Sequence, residues 1–263
     1  MDLKLKGKIA LVTGASRGLG FAVVRGLLLE GCQVVINSRS SANLNKAVTK
    51  LKTETSGDVI PIDGDLTDPT VPGMLIRFAI DSFGGLDLLV TNAGGPPAGQ
   101  FEEINDQKWQ HAIELSLMSH VRLIRAALPY LKQSKQASVL SITSYSVKQP
   151  IPNLVLSNSI RAANVGLIKT LALELGHEGI RFNSILPGWT ETERVTELLK
   201  NRANQNGTTV EQETTRQLSE SVFGRMATPE EFANAAVFLL SPAASYITGV
   251  MLTVDGGVYK GTL

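Results

Sequence analysis

The chain has 263 residues, with 25 basic against 24 acidic side chains and a formal net charge of +1. So even a balance gives no electrostatic footprint for nucleic acid or an anionic membrane, and neither partner is favoured. Apolar residues make up 43% of the chain, enough for a sizeable core, and no apolar run reaches the length of about 18 needed to cross a bilayer. The single cysteine, Cys32, excludes an intramolecular disulfide and is expected as a small buried side chain. A soluble, cytoplasmic protein is expected.

The first apolar run, Ile9–Thr13, reads as a buried strand. Gly14-Ala15-Ser16-Arg17-Gly18-Leu19-Gly20 follows, and a helical segment spans Gly18–Glu30. Strand, glycine turn and helix N-terminus form a phosphate-binding order. Backbone N–H groups and the helix dipole face an anion, and glycine lets the backbone come close. Further strands are predicted at Gln33–Ser38, Val59–Asp63, Leu86–Thr91, Ala137–Ile142, Arg181–Leu186 and Met251–Val254. Helical spacing lies between them at Ala42–Thr55, Val71–Phe83, Asp106–Lys132, Val155–His177 and Pro229–Leu240.

Several of these strands are continuous apolar runs, as in a parallel sheet covered on both faces. The alternation predicts right-handed crossovers and a doubly wound α/β sheet. No repeat, low-complexity tract or linker divides the chain, so residues 1–263 are expected to form one dinucleotide-binding domain. The polar stretch Asn201–Glu220 breaks the pattern after the sixth strand, within a segment at about 190–222. It reads equally as a substrate loop at the strand ends or as a solvated helix pair.

The second strand runs into Asn37-Ser38-Arg39-Ser40, with no carboxylate between Val34 and Ser41. An acid there takes a ribose 2′-hydroxyl, whereas an arginine accommodates a 2′-phosphate. Arg39, with Arg17 in the glycine turn, therefore favours NADP(H) over NAD. Asp65, followed by Leu66, reads as an acceptor for the adenine amino group or as a cap for the next helix. Asn92-Ala93-Gly94 after the fourth strand and Pro187, Gly188, Thr190 and Thr192 after the sixth complete the expected cofactor set, with Gly14, Ser16, Gly18, Leu19 and Gly20. Trp189 reads equally as a wall of the substrate pocket or as packing.

These motifs occur in order over essentially the whole chain, with Ser144, Ser241-Pro242, Gly249 and Asp255-Gly256-Gly257. Their spacing resembles that of the short-chain dehydrogenase/reductase family, most of all its 3-oxoacyl-(acyl-carrier-protein) reductase-like members. The resemblance implies one Rossmann domain of about seven parallel strands, a nicotinamide cofactor, and a homotetramer or homodimer. In such tetramers the segments equivalent to Asp106–Lys132, Val155–His177 and the last strand pack between subunits.

The resemblance also implies an Asn, a Ser, a Tyr and a Lys at the reacting centre, and here the chain departs from it. Ser144 matches the serine. Thirteen residues on, the tyrosine position holds Ser157, and the lysine position holds Arg161. Seven residues after Trp109, the asparagine position holds Ser116. A serine hydroxyl is a far weaker acid than tyrosine, and arginine does not release its proton near neutral pH. What remains is hydrogen bonding from Ser144 and Ser157 with a fixed cation, a set that can stabilise a developing alkoxide. Tyr145 is an alternative acid, its pKa to be lowered by Arg161 or Lys148. The plainer expectation is that Tyr145 packs over the sheet, since successive residues leaving a strand point to opposite sides.

His111, His120 and His177 lack metal spacing and read as helix-surface or interface residues, and no metal site is expected. The leading expectation is an NADP(H)-dependent reductase of a small carbonyl or acyl-thioester substrate with a non-standard acid/base set. A cofactor-binding pseudoenzyme is the main alternative. Enoyl reduction or elimination on a thioester is a third, and a scaffold binding no nucleotide is the least favoured.

Overall fold

The apolar runs pair side by side in the structure, a computed structural model of the chain that describes residues 1–262. Its strands are β1 (Ile9–Val12), β2 (Gln33–Ser38), β3 (Val59–Asp63), β4 (Leu88–Thr91), β5 (Ser138–Ile142), β6 (Arg181–Pro187) and β7 (Met251–Val254). Among the described residues they form one seven-stranded sheet, ordered β3-β2-β1-β4-β5-β6-β7. Every pairing is parallel, with Val12 opposite Ile36 and Val90 opposite Leu140.

The strands bury both faces, and their side chains alternate between two apolar layers. Ala10, Val12, Val34, Ile36, Leu88 and Val90 pack in one layer; Leu11, Val35 and Leu89 pack in the other. The first layer is closed by α1 (Gly18–Leu29), α2 (Ser41–Glu54) and α9 (Pro229–Leu240). The second is closed by α3 (Val71–Phe83), α5 (Ser119–Leu131) and α6 (Val155–Leu175). The chain reverses direction across the sheet between β1 and β4, and that switch opens a crevice at the carboxyl ends of the strands.

One predicted helix is interrupted, and the polar stretch with two readings takes the helical one. The span Asp106–Lys132 is broken into α4 (Asp106–Ile113) and α5 by a π-helical turn, Glu114–Met118. The polar stretch at 201–220 is an ordered helix pair, α7 (Glu193–Asn206) and α8 (Val210–Leu218). Thr192 caps α7 by accepting from Val195 N, and Thr209 and Gln212 form a capping box on α8. Glu213 is buried between the two helices, where it accepts hydrogen bonds from Asn206 and Thr208. No helix of the described residues is long and apolar enough to cross a membrane.

Candidate active site

The glycine turn is bolted to the end of β4. Thr13 Oγ1 donates to Asn92 O at 2.8 Å, Asn92 N donates to Thr13 Oγ1 at 2.9 Å, and Asn92 Nδ2 donates to Gly14 O at 3.0 Å. Gly14 and Gly18 both have φ of +58°, a region that favours glycine. Gly20 serves packing instead. A Cβ there would come within 2.5 Å of Gly14 O, so glycine lets α1 start directly on the turn. Gly20 lines neither of the clefts that meet at this turn.

One cleft, about 520 Å³, is lined by Ser16, Arg17, Asn37, Arg39, Asp65 and Leu66. Arg39 lies 3.9 Å from Asp65 and Arg17 lies 3.7 Å from Glu193, long exposed pairs that leave both guanidinium groups free to turn toward a phosphate. Asp65 does not cap α3. Its Oδ1 accepts from Thr67 N and Thr67 Oγ1, closing the turn after β3, while α3 begins only at Val71.

The second cleft, about 380 Å³, shares Gly14, Arg17, Arg39, Ala93 and Gly94 with the first and adds Leu19, Asn92, Ser144, Tyr145, Ser157, Arg161, Pro187, Gly188, Thr190 and Thr192. Asn37 Oδ1, Thr143 Oγ1 and Thr190 Oγ1 are buried along this trench with no partner among the described residues. Buried polar atoms short of a partner suit a ligand with polar edges, as a dinucleotide has. The trench therefore fits a nicotinamide dinucleotide: two arginines at one end, close-approach glycines in the middle and hydroxyl groups at the other end.

At that far end Ser144 is extended, and its Oγ accepts from Ser146 N at 3.1 Å, so its O–H is left to donate into the cleft. Arg161 Nη1 donates to the carbonyls of Ile142 and Thr143 at 3.2 and 3.0 Å, which fixes the guanidinium beneath the end of β5. Burial, with Arg194 as a second cation, lowers its pKa to about 10, so it stays charged at neutral pH.

Tyr145 packs with Leu154, Leu186 and Trp189, as the plainer expectation has it, but it also lines the cleft instead of turning away as strand alternation predicts. A short 3-10 turn, Tyr145–Val147, starts directly after Ser144 and swings the ring back to the same side. Its hydroxyl accepts from Trp189 Nε1 at 3.1 Å, and burial pushes its pKa up to about 12. Arg161 and Lys148 are not what tunes it: Arg161 is held by β5 and Lys148 lies over the Tyr259 ring. Trp189 both packs and lines the cleft, with Arg202 stacked on its other face at 4.9 Å.

Ser116 is not brought to the cleft. It is buried in the π-helical turn; its carbonyl accepts from Asn164 Nδ2 at 3.1 Å, and its Oγ has no partner among the described residues. The expectation of a surface His120 fails as well. His120 is buried with Ser141 and Asn164, and desolvation together with the Arg161 charge lowers its pKa to about 3, which keeps it neutral. His120 shares the buried face of α5 with Leu123, Ile124, Ala127 and Leu131, a spacing that sequence alone carried. His111 and His177 are exposed as expected, and Cys32 is buried with its thiol pushed up to about 12.

Arg194 was not singled out by sequence. It reaches from α7 across the cleft to donate to Pro96 O at 2.8 Å, a contact spanning 98 residues that no local signal announces.

The sequence profile of a family described as Enoyl-(Acyl carrier protein) reductase matches residues 14–259. A dehydrogenase/reductase SDR family member 4 of Caenorhabditis elegans is 31% identical over 256 residues, covering 97% of this chain and 96% of that protein. A 3-oxoacyl-(acyl-carrier-protein) reductase of Vibrio cholerae is 31% identical over 259 residues, covering 98% of this chain and 99% of that one. Among solved structures, L-sorbose reductase from Gluconobacter frateurii complexed with NADPH and L-sorbose superposes with a TM-score of 0.94 at 33% identity, covering 99% of this chain and 100% of that one.

Proposed function

The chain belongs to the short-chain dehydrogenase/reductase family, and from that premise we propose that it is an NADP(H)-dependent oxidoreductase. It reduces the carbonyl of a 3-oxoacyl thioester or a related small ketone with a non-standard set of polar groups. The observation that carries this reading is the single trench that joins the glycine turn and its two arginines to Ser144, Ser157 and Arg161. NADP(H) is preferred because Arg17 and Arg39 line the end of the trench after β2, where no acid follows the strand.

Bound NADPH supplies the hydride that reduces the carbonyl carbon. The chain holds the carbonyl oxygen. Ser144 donates its O–H, freed by the Ser146 N contact, and Ser157 offers a second hydroxyl from the first turn of α6. Arg161 acts as a fixed positive charge beneath the oxygen, worth more in a half-buried cleft than in water. The proton reaches the alkoxide through the Ser157 hydroxyl from solvent, because an alkoxide is basic enough to take it without a pre-lowered acid. Tyr145 orients Trp189 instead of donating the proton.

Steady-state oxidation of NADPH and NADH across a carbonyl panel tests this reading. Turnover that prefers NADPH is expected. Tight NADPH binding with no oxidation above background overturns it and favours the pseudoenzyme, a reading supported by Ser157 and Arg161 standing where the family resemblance implies tyrosine and lysine. In line with the family resemblance, the exposed Leu173 on α6 and Met251 on β7 support assembly as a homotetramer or homodimer in the cytoplasm.

A further inference from the structure

The substrate end of the trench carries two guanidinium groups and no carboxylate bound to either. Arg161 and Arg194 both line the cleft, yet neither forms an ion pair with any described residue. Glu197, the acid whose charge reaches Arg194, makes no ion pair with it, and Glu193 is turned to Arg17. The two cations face the same space closely enough that Arg194 adds to the lowering of the Arg161 pKa. Desolvation lowers Arg194 in the same direction. Two half-buried like charges with no bonded counter-ion, and only the Glu197 charge acting on Arg194 from a distance, leave room for an anion to bind between them.

Both groups are held and incompletely used. Arg161 is anchored through Nη1 on two backbone carbonyls, and its Nε and Nη2 have no acceptor among the described residues. Arg194 is anchored through Nη2 on Pro96 O and lies flat against Gly95, where an added Cβ would sit 2.9 Å from Nη2 and 3.0 Å from Nε. Gly95 has an ordinary backbone conformation, so its lack of a side chain serves the approach of Arg194 and not a turn. Arg17 and Arg39 also line the 520 Å³ cleft, but Arg161 and Arg194 do not, which separates a phosphate-facing pair from a substrate-facing pair.

We propose that the substrate of this cleft is a ketone bearing a carboxylate, held between the free N–H groups of Arg161 and Arg194 while its carbonyl meets Ser144 and Ser157. The planar fork of arginine matches a carboxylate in two parallel hydrogen bonds. The inference rests on the reductase reading above and narrows its substrate to a keto acid in place of a thioester.

The test pairs keto acids with their methyl esters as substrates for the protein with NADPH, alongside malonate binding to the protein–NADPH complex by calorimetry. Wild type is expected to favour the acid over its ester by about tenfold or more in kcat/KM, as one charge-assisted pair supplies. Arg194→Met brings that ratio close to one. Gly95→Ala, which displaces the guanidinium without removing it, lowers the ratio in the same direction. An ester reduced as well as its acid by wild type overturns the inference and leaves the reductase reading standing. So does an Arg194→Met variant that weakens NADPH binding with the acid-to-ester ratio intact, since Arg194 then serves the cofactor. If no ketone turns over, the reductase reading fails on its own. Malonate binding that is lost in Arg194→Met then upholds the anion site, and absence of malonate binding overturns it.

Discussion

The two ends of the trench are built on different principles. At the glycine turn, the Thr13 and Asn92 side chains clasp backbone atoms of Asn92 and Gly14, and the main chain runs so close that a Cβ on Gly20 would lie 2.5 Å from Gly14 O. At the far end the groups that face the cleft are side chains alone, Ser144 after β5, Ser157 and Arg161 on α6 and Arg194 on α7, and no glycine approach is needed to seat Ser144, Ser157 or Arg161. An end that depends on close main-chain approach resists change, whereas an end built of projecting side chains can be rewritten. The difference accounts for a chain that keeps the whole glycine motif while Ser157 and Arg161 stand where the family resemblance implies tyrosine and lysine.

The contrast breaks most visibly at Gly20. Gly20→Ala pushes a Cβ against Gly14 O and is expected to weaken NADPH binding by about a hundredfold or to cost folding, measured by NADPH fluorescence and circular dichroism. At the other end, Ser144→Ala is expected to leave NADPH affinity unchanged and to lower kcat by roughly a hundredfold, as loss of one preorganised donor does. Equal losses in binding and in kcat would erase the division between the two ends.

Tyr145→Phe sharpens the same comparison. A general acid is worth about a hundredfold or more, but a hydroxyl raised to about 12 that serves Trp189 is expected to change kcat by less than about threefold. A large loss with a shifted pH profile would return the proton to Tyr145.

His120 lies outside both ends, and at neutral pH its replacement is expected to touch neither binding nor turnover. It stays neutral in the fold down to about 3, while the unfolded chain takes up a proton near the ordinary value of 6.5. The unfolded state binds more protons between those values, so stability falls as pH drops through that window, by about 1.4 kcal/mol per unit for one proton. His120→Asn is expected to flatten this acid limb in denaturant titrations at several pH values, while leaving stability above it less affected.

How much was legible follows the same division. Strands and helices were readable because burial on both faces writes continuous apolar runs and period-3.6 faces into the sequence, and the glycine turn because its constraints lie within a few residues. Tyr145 packs as its position after a strand suggests, but its place beside the cleft is not legible, because a 3-10 turn begins directly at the strand end and cancels the alternation. His120 reads as a surface or interface residue from its type, whereas the buried residues that follow it at helical spacing place it inside. Arg194 was invisible because its partner, Pro96, lies 98 residues away. Ser116 was placed at the centre by motif spacing alone, and the π-helical turn that holds it buries its side chain away from the cleft.

On the proposed reading the intact nucleotide end serves a rewired but working chemical end. A single-turnover reaction of the protein with NADPH deuterated at the transferring position of the nicotinamide and an excess of a keto acid tests it most directly. Deuterium is expected on the carbinol carbon of the product, formed at a rate that falls in Ser144→Ala with NADPH still bound. Saturating NADPH binding with no deuterium transferred to any carbonyl would contradict it.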